Sequence, residues 1–414
     1  MNDQEVRAAA PQRIQQNRST EIEIVLTDQD NKPLRNTQAH VQLVRHEFRF
    51  GCDAFLLQPD VSTDRQRDYQ ERFSALLNYA TLPFYWGGYE RIKGETDEKR
   101  LQRMAGWCAR HEIEPKGHPL VWHEVYPAWG HDCPDSEVLS RLEKRVTEIV
   151  SQFRGTVDTW DVVNEATVSH GFDNAVGRWI ADKGAAECVA QALHWAREAN
   201  PSATLLYNDF NVSEDMVRLV ADLLDRGAPL DAIGIQSHMH KGTWTLEKAW
   251  ETCEAFAGFG LPLHWTELTV LSGRPKAPDD NDWHFRHTEW KTTPQGEKAQ
   301  AEYAEGLYTV LFSHPAVEAI TWWDLSDWSS WQGAPAGLIR EDMTPKPLYE
   351  RLLHLVREEW NTDVETTTDE NGRIRLCAFF GQYRVHAGPN LTGTFKHHRG
   401  REQSIKVNLE QEAP

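Results

Sequence analysis

At 414 residues the chain has room for one large catalytic domain of about 250–300 residues and a small accessory unit. Its formal charge of −19 argues against binding a phosphate backbone, which needs clustered Lys and Arg, and no apolar run approaches the ~18 residues of a membrane-spanning helix. Residues 1–11 lack the apolar stretch of a signal peptide, and the six cysteines (52, 108, 133, 188, 253 and 377) show no paired spacing. A cytoplasmic protein with reduced thiols is therefore expected, although a secreted chain that had shed its leader would look the same.

In chain order, residues 1–20 are polar and expected to be poorly ordered. Over 21–45, Ile22, Ile24 and Leu26 alternate, a turn follows at Asp28 to Pro33, and Val41 and Leu43 resume the alternation, which predicts β strands. From 46 to 360 the pattern changes. Strand-like runs at 48–55, 80–86, 114–123, 157–165, 204–209, 232–238, 263–270 and 316–324 alternate with helical stretches at 97–111, 136–153, 185–199, 213–226, 245–259 and 295–312. Eight strands alternating with helices predict a (β/α)8 barrel with its active site at the C-terminal strand ends. Residues 361–414 read as strands again. Neither terminal set has enough strands to be stable alone, so the two are expected to pack as one small β-sandwich. Phe379, Phe380 and Tyr383 within it are aromatic, but alternating aromatics in strands are more often core.

Two strand ends carry carboxylates. Glu165 closes the run W-D-V-V-N-E-A at 160–166, and Glu267 sits in L-H-W-T-E-L at 263–268. Paired carboxylates at one end of a barrel are what glycoside hydrolysis requires: one protonates the leaving oxygen, the other attacks or activates water on the opposite face of the sugar. The remaining strand ends bring His118, Trp122 and His123 in G-H-P-L-V-W-H, Tyr207 in Y-N-D-F-N, Gln236 and His238 in Q-S-H, and Trp323, with Trp331 eight residues on. Each alone reads as a satisfied core residue; converging on one barrel face they read as a site. The 17 Trp add flat faces suited to stacking on sugar rings.

With these runs in order from about Phe48 to Leu355, the chain resembles glycoside hydrolase family 10, whose best-known members are retaining endo-β-1,4-xylanases. The resemblance implies Glu165 as general acid/base, Glu267 as nucleophile, and Asn164 as a partner of the sugar 2-hydroxyl. It implies that His118 and Trp122 line the same subsite, with His123 and Tyr207 also on the substrate side. Gln236 and His238 would orient the carboxylates, and Trp323 and Trp331 would roof the sugar. No cofactor or metal is implied, the partner is a carbohydrate or glycoside, and oligomeric state is left open.

Two departures from the family pattern bear on specificity. Where the family has Pro-Glu-Asn-x-x-Lys-Trp-Glu, residues 83–90 read P-F-Y-W-G-G-Y-E, so hydrogen-bonding residues become Phe84, Tyr85 and Gly88. With Trp86 these rings are expected to narrow the glycone end of the cleft, favouring short xylo-configured oligosaccharides or glycosides with a hydrophobic aglycone. Thr269 stands where an Asp commonly supports the histidine, so His238 is expected to find support elsewhere. The alternatives are an ordinary endo-xylanase acting on polymeric xylan, a non-catalytic carbohydrate-binding barrel, and a metal hydrolase built on His238 and His240 with His118 and His123.

Overall fold

The computed structural model describes residues 2–400 and 404–411; Met1, 401–403 and 412–414, which belong to the expected terminal segments, lie outside the described residues. A helix at Asp3–Arg18 leads into β1 (Ser19–Thr27) and β2 (Gln38–His46). The next eight strands close a parallel barrel: β3 (Arg49–Asp53), β4 (Tyr79–Pro83), β5 (Glu114–His118), β6 (Thr159–Asn164), β7 (Thr204–Asp209), β8 (Ala232–Met239), β9 (Leu263–Val270) and β10 (Val317–Trp322). β10 pairs in parallel with both β9 and β3, which completes the ring.

Composition explains the barrel. Every residue of β6 and of β9 is buried, because helices cover the outside and side chains fill the inside, and the polar residues among them face partners within the barrel. Several outer helices start on side-chain caps that satisfy free backbone N–H groups: Thr63 to Gln66, Asn174 to Gly177, Thr245 to Lys248 and Thr293 to Gly296. No helix among the described residues is long and apolar enough to cross a membrane.

Six further strands follow: β11 (Asp363–Thr367), β12 (Arg373–Phe379), β13 (Gly381–Ala387), β14 (Leu391–His397), β15 (Ser404–Asn408) and β16 (Glu410–Gln411). They form two sheets with the N-terminal strands, ordered β12-β1-β15 and β11-β2-β13-β14-β16. Ile22, Ile24 and Leu26 from the N-terminal side meet Val385, Phe395 and Val407 in one core, so the sandwich is built from both ends of the described chain. Tyr383 is fully buried and its ring stacks on Phe395 at 4.7 Å, which makes it a core aromatic rather than a sugar platform.

The expectation of a poorly ordered 1–20 is corrected. Asn2 and Glu5 form a reciprocal capping box, and Val6, Ala10, Ile14 and Arg18, spaced by four, are buried. The low apolar content and Pro11 within the segment hide the helix in the sequence. Its last residue ties it to the barrel: the Arg18 guanidinium donates to the carbonyls of Phe312, His314 and Val317 at 2.6, 2.5 and 2.6 Å.

Candidate active site

Glu165 is the first residue past β6 and stands in the left-handed region, φ 57° and ψ 42°. A side chain with a Cβ pays for that conformation, and such strain persists where surrounding contacts over-determine it. Here the Glu165 N–H donates to Asn208 O at 2.8 Å, and its carbonyl accepts from Ser169 Oγ at 2.9 Å. Glu267 lies within β9, three strands further round.

The two carboxylates share a network of amides. Glu165 Oε1 accepts from Asn164 Nδ2 at 3.0 Å and Gln236 Nε2 at 2.9 Å, and its Oε2 accepts from Trp122 Nε1 at 3.0 Å. Asn208 Nδ2 donates at 2.8 Å both to Asn164 Oδ1 and to Glu267 Oε1. His238 Nε2 lies 3.0 Å from Glu267 Oε2, and His118 Nε2 lies 3.7 Å from Oε1. The sequence left the support of His238 to be sought elsewhere; it is Thr269 itself, whose hydroxyl lies 2.9 Å from Nδ1. A hydroxyl can donate or accept, so it fixes the ring orientation without adding charge.

Behind Glu267 runs a buried ionic chain that the sequence reading missed. Lys116 Nζ lies 2.6 Å from Asp161 Oδ2, and the same oxygen lies 2.8 Å from His118 Nδ1; Lys116 and Asp161 are both fully buried. A Lys and an Asp inside otherwise apolar barrel strands were the available signal, since buried charges persist only when paired.

Environment drives the two glutamates apart. Burial pushes Glu165 up, the nearby Glu267 charge adds to it, and the carboxyl reaches about 8. Burial also pushes Glu267 up, but His118, the hydrogen bond from His238 and the Lys116 charge outweigh it and hold the carboxyl below its ordinary value. Near neutral pH one glutamate is protonated and the other charged. Two carboxyl groups in opposite states on one cavity are an acid and a base or nucleophile waiting for a substrate between them.

The cavity they face has a volume of about 880 Å³. Of the residues singled out in the sequence, His118, Trp122, Asn164, Glu165, Gln236, His238, Glu267, Trp323, Trp331 and Tyr85 line it. Four do not. Phe84 is turned into the core, 4.9 Å from the Trp160 ring and 5.0 Å from Phe153. Trp86 packs on Trp129 at 5.6 Å and donates to Glu90 at 2.9 Å. Tyr207 is fully buried and donates its hydroxyl to Asp209, while His123 hydrogen-bonds Ser169 at 2.5 Å. Tyr207 alone lies in a strand, where alternation turns it away from the cavity; Phe84, Trp86 and His123 follow β4 and β5 in segments that turn inward to the core.

The His238–His240 pairing does not converge on a metal site: His240 turns to Gln332 at 3.1 Å and His238 to Glu267. Among the described residues the cluster with metal-ligand spacing is instead His123, Glu124 and Glu165. Asp53, Phe55, Phe172, Phe210 and Trp283 also line the cavity and were not singled out. Asp53 ends a strand, a position the barrel pattern flags; Trp283 lies in a long loop with no periodicity to mark it.

A parallel eight-stranded barrel with a protonated and an ionised carboxyl on one cavity fits a glycoside hydrolase. Residues 62–355 match the sequence model of Glycosyl hydrolase family 10. The chain is 32% identical over 284 residues to endo-1,4-beta-xylanase B of Thermotoga neapolitana, covering 65% of this chain and 76% of that one, and 29% identical over 263 residues to an endo-1,4-beta-xylanase of Geobacillus stearothermophilus, covering 58% and 77%. Among solved structures it resembles xylanase 10B of Thermotoga petrophila, determined with xylobiose (TM-score 0.64, 25% identity, 76% of this chain and 95% of that one). It also resembles xylanase 10B of Thermotoga maritima (TM-score 0.63, 26% identity, 76% and 97%). The chain belongs to glycoside hydrolase family 10 and is a retaining glycosidase.

Proposed function

We propose that this glycosidase cleaves short xylo-configured oligosaccharides or small β-glycosides with hydrophobic aglycones, with Glu165 as acid/base and Glu267 as nucleophile. The opposite protonation of the two carboxyls on one cavity carries this reading. The charged Glu267 attacks the anomeric carbon while Glu165 gives its proton to the departing glycosidic oxygen, leaving a glycosyl ester on Glu267. Ester formation removes the charge that helped hold Glu165 protonated. Glu165 then takes a proton from water as that water attacks, and the ester bond to Glu267 breaks with the original configuration restored. Asn164, Gln236 and Asn208 keep both carboxylates aimed, and His118 and His238 keep Glu267 charged.

The preference for small substrates is supported by Tyr85, whose ring stands 5.3 Å from His118 and 5.6 Å from Phe55, and by Phe55, 5.2 Å from Trp323. These rings wall the cavity where β3, β4 and β10 meet. The aglycone preference is supported by Phe172 and Phe210 on the cavity lining, Phe210 being half exposed. The test is a panel of aryl β-xylosides, xylo-oligosaccharides and polymeric xylan. Glu267→Gln is expected to lose several orders of magnitude in turnover on every substrate, and Glu165→Gln to retain glycosylation of dinitrophenyl glycosides, whose leaving group needs no proton. Vigorous release of mixed oligosaccharides from long xylan would replace this specificity with that of an ordinary endo-xylanase.

A further inference from the structure

Asp53 ends β3, the first barrel strand, and Asp324 lies two residues past β10, the eighth. Because β10 and β3 are hydrogen-bonded neighbours, the two acids stand side by side, and both line the cavity of Glu165 and Glu267. They are 4% and 8% exposed. Neither is in an ion pair among the described residues. Asp53 accepts the backbone N–H groups of Asp324, at 3.4 Å, and of Phe55, while both oxygens of Asp324 accept the Trp331 N–H at 3.0 Å. Asp324 also holds a left-handed backbone, φ 71°, which for a residue with a Cβ is strain located at the site.

Two adjacent buried acids outside any direct ion pair, with only the Arg286 charge across the cavity acting on Asp324, are costly to keep, and the cleavage chemistry uses neither. Burial, with the Glu267 charge adding to it, pushes Asp53 up to about 7, and burial with the Asp53 charge holds Asp324 well above the ordinary carboxylate range. Near neutral pH the pair therefore retains a proton and offers both an O–H donor and acceptor oxygens. A sugar hydroxyl both donates and accepts, so such a pair matches two neighbouring hydroxyls. The flanking rings fit the same ligand: Phe55 and Trp323 meet edge to face beside the acids, and Trp323 presents its ring to the cavity. On the same wall, with its ring 5.6 Å from Phe55, Tyr85 stands in place of the hydrogen-bonding side chains usual in the family.

We propose that Asp53 and Asp324 act together as a specificity site that binds a vicinal diol of the sugar at the glycone end of the cavity. The inference rests on the glycosidase reading of the site and extends it to recognition. The acids touch substrate hydroxyls remote from the breaking bond, so they govern which sugar is accepted rather than how the bond is cut.

The test combines Asp53→Ala and Asp324→Ala, which remove both the donor and the acceptor that Asn would keep, with deoxygenated substrates. Values of kcat/KM are measured on a dinitrophenyl β-xyloside and on its 3-deoxy and 4-deoxy analogues, with thermal unfolding of each variant as a check on folding. Each variant is expected to lose about tenfold to a hundredfold on the parent sugar, the scale of a lost hydrogen bond to a charged partner. On the analogue lacking the contacted hydroxyl, wild type falls by a similar factor and the variants lose less than about twofold more, because the partner is already gone. Equal losses on all three sugars, or no loss, would overturn the diol site while leaving the glycosidase reading intact. A wild type inactive on these and every other β-glycoside tried would overturn both.

Discussion

At Glu165 the protonation state follows from burial, and its consequences run in two directions. For activity, the basic limb of the kcat/KM profile should fall above about 8 as Glu165 loses its proton, and the acidic limb should fall only below the ordinary glutamate range, where Glu267 gains one. For stability, the folded protein holds the Glu165 proton up to about 8, whereas the unfolded chain releases it near 4.5, so the folded state binds more protons in that window and stability declines as pH rises through it. Glu165→Gln removes that decline. Its melting temperature should exceed that of wild type near pH 8 and converge with it near pH 4, as differential scanning calorimetry would register; an equal offset at both pH values would contradict the raised carboxyl. Lys116→Met asks a different question of the same neighbourhood. It strips the ammonium from Asp161 and leaves a buried charge held only by His118, so unfolding should cost about 3–5 kcal/mol less in a denaturant titration, with turnover falling as His118 loses its anchor.

Elements were legible where periodicity and caps coincide. β7 and β9 fall on the expected 204–209 and 263–270, and the helix at Ala185–Ala199 matches its expected bounds, because apolar spacing and turn residues mark both ends. β5 stops at His118 instead of 123: past it Leu120 and Val121 still donate to β6 carbonyls, which keeps the segment strand-like in composition while the chain leaves the barrel. The helix at Asp64–Leu76 was missed because only Gln66, Tyr69, Phe73 and Leu76 face inward, a thin apolar stripe in a charged sequence. At the site, the catalytic candidates stood out through motif order, whereas Phe84 and Trp86 misled because the sequence gives residue type but not which way a loop turns after β4. The N-terminal helix, hidden from composition, makes its own prediction. Arg18→Met leaves three barrel carbonyls without their donor, and the melting temperature should drop by several degrees with kcat unchanged, since the helix does not line the catalytic cavity. A matched loss of kcat in folded protein would show that the helix acts on the site.

Across the whole molecule, the sandwich makes the two ends of the described chain interdependent. β1 lies between β12 and β15, and β2 between β11 and β13, so truncation after Trp360 would leave both N-terminal strands with open edges and with Ile22, Ile24, Leu26 and Val41 uncovered. The truncated protein should elute as aggregates in size-exclusion chromatography even though all eight barrel strands remain; a monodisperse, active product would show that the barrel tolerates the loss.

The chain carries a formal charge of −19, while the Lys116–Asp161 pair lies wholly inside the barrel behind His118. Mobile ions weaken interactions between exposed charges beyond about 8–10 Å at ordinary ionic strength, and they do not enter a packed interior. Salt therefore acts on the surface alone. Adding sodium chloride from about 20 mM to about 500 mM should relax the self-repulsion of the acidic surface and raise the melting temperature. Over the same range turnover should change little, because His118 and His238 act on Glu267 from 3.7 and 3.0 Å, well inside the screening length. Chemistry indifferent to salt and a fold stabilised by it are the two expected responses, which a titration of rate and melting temperature in one buffer series would separate.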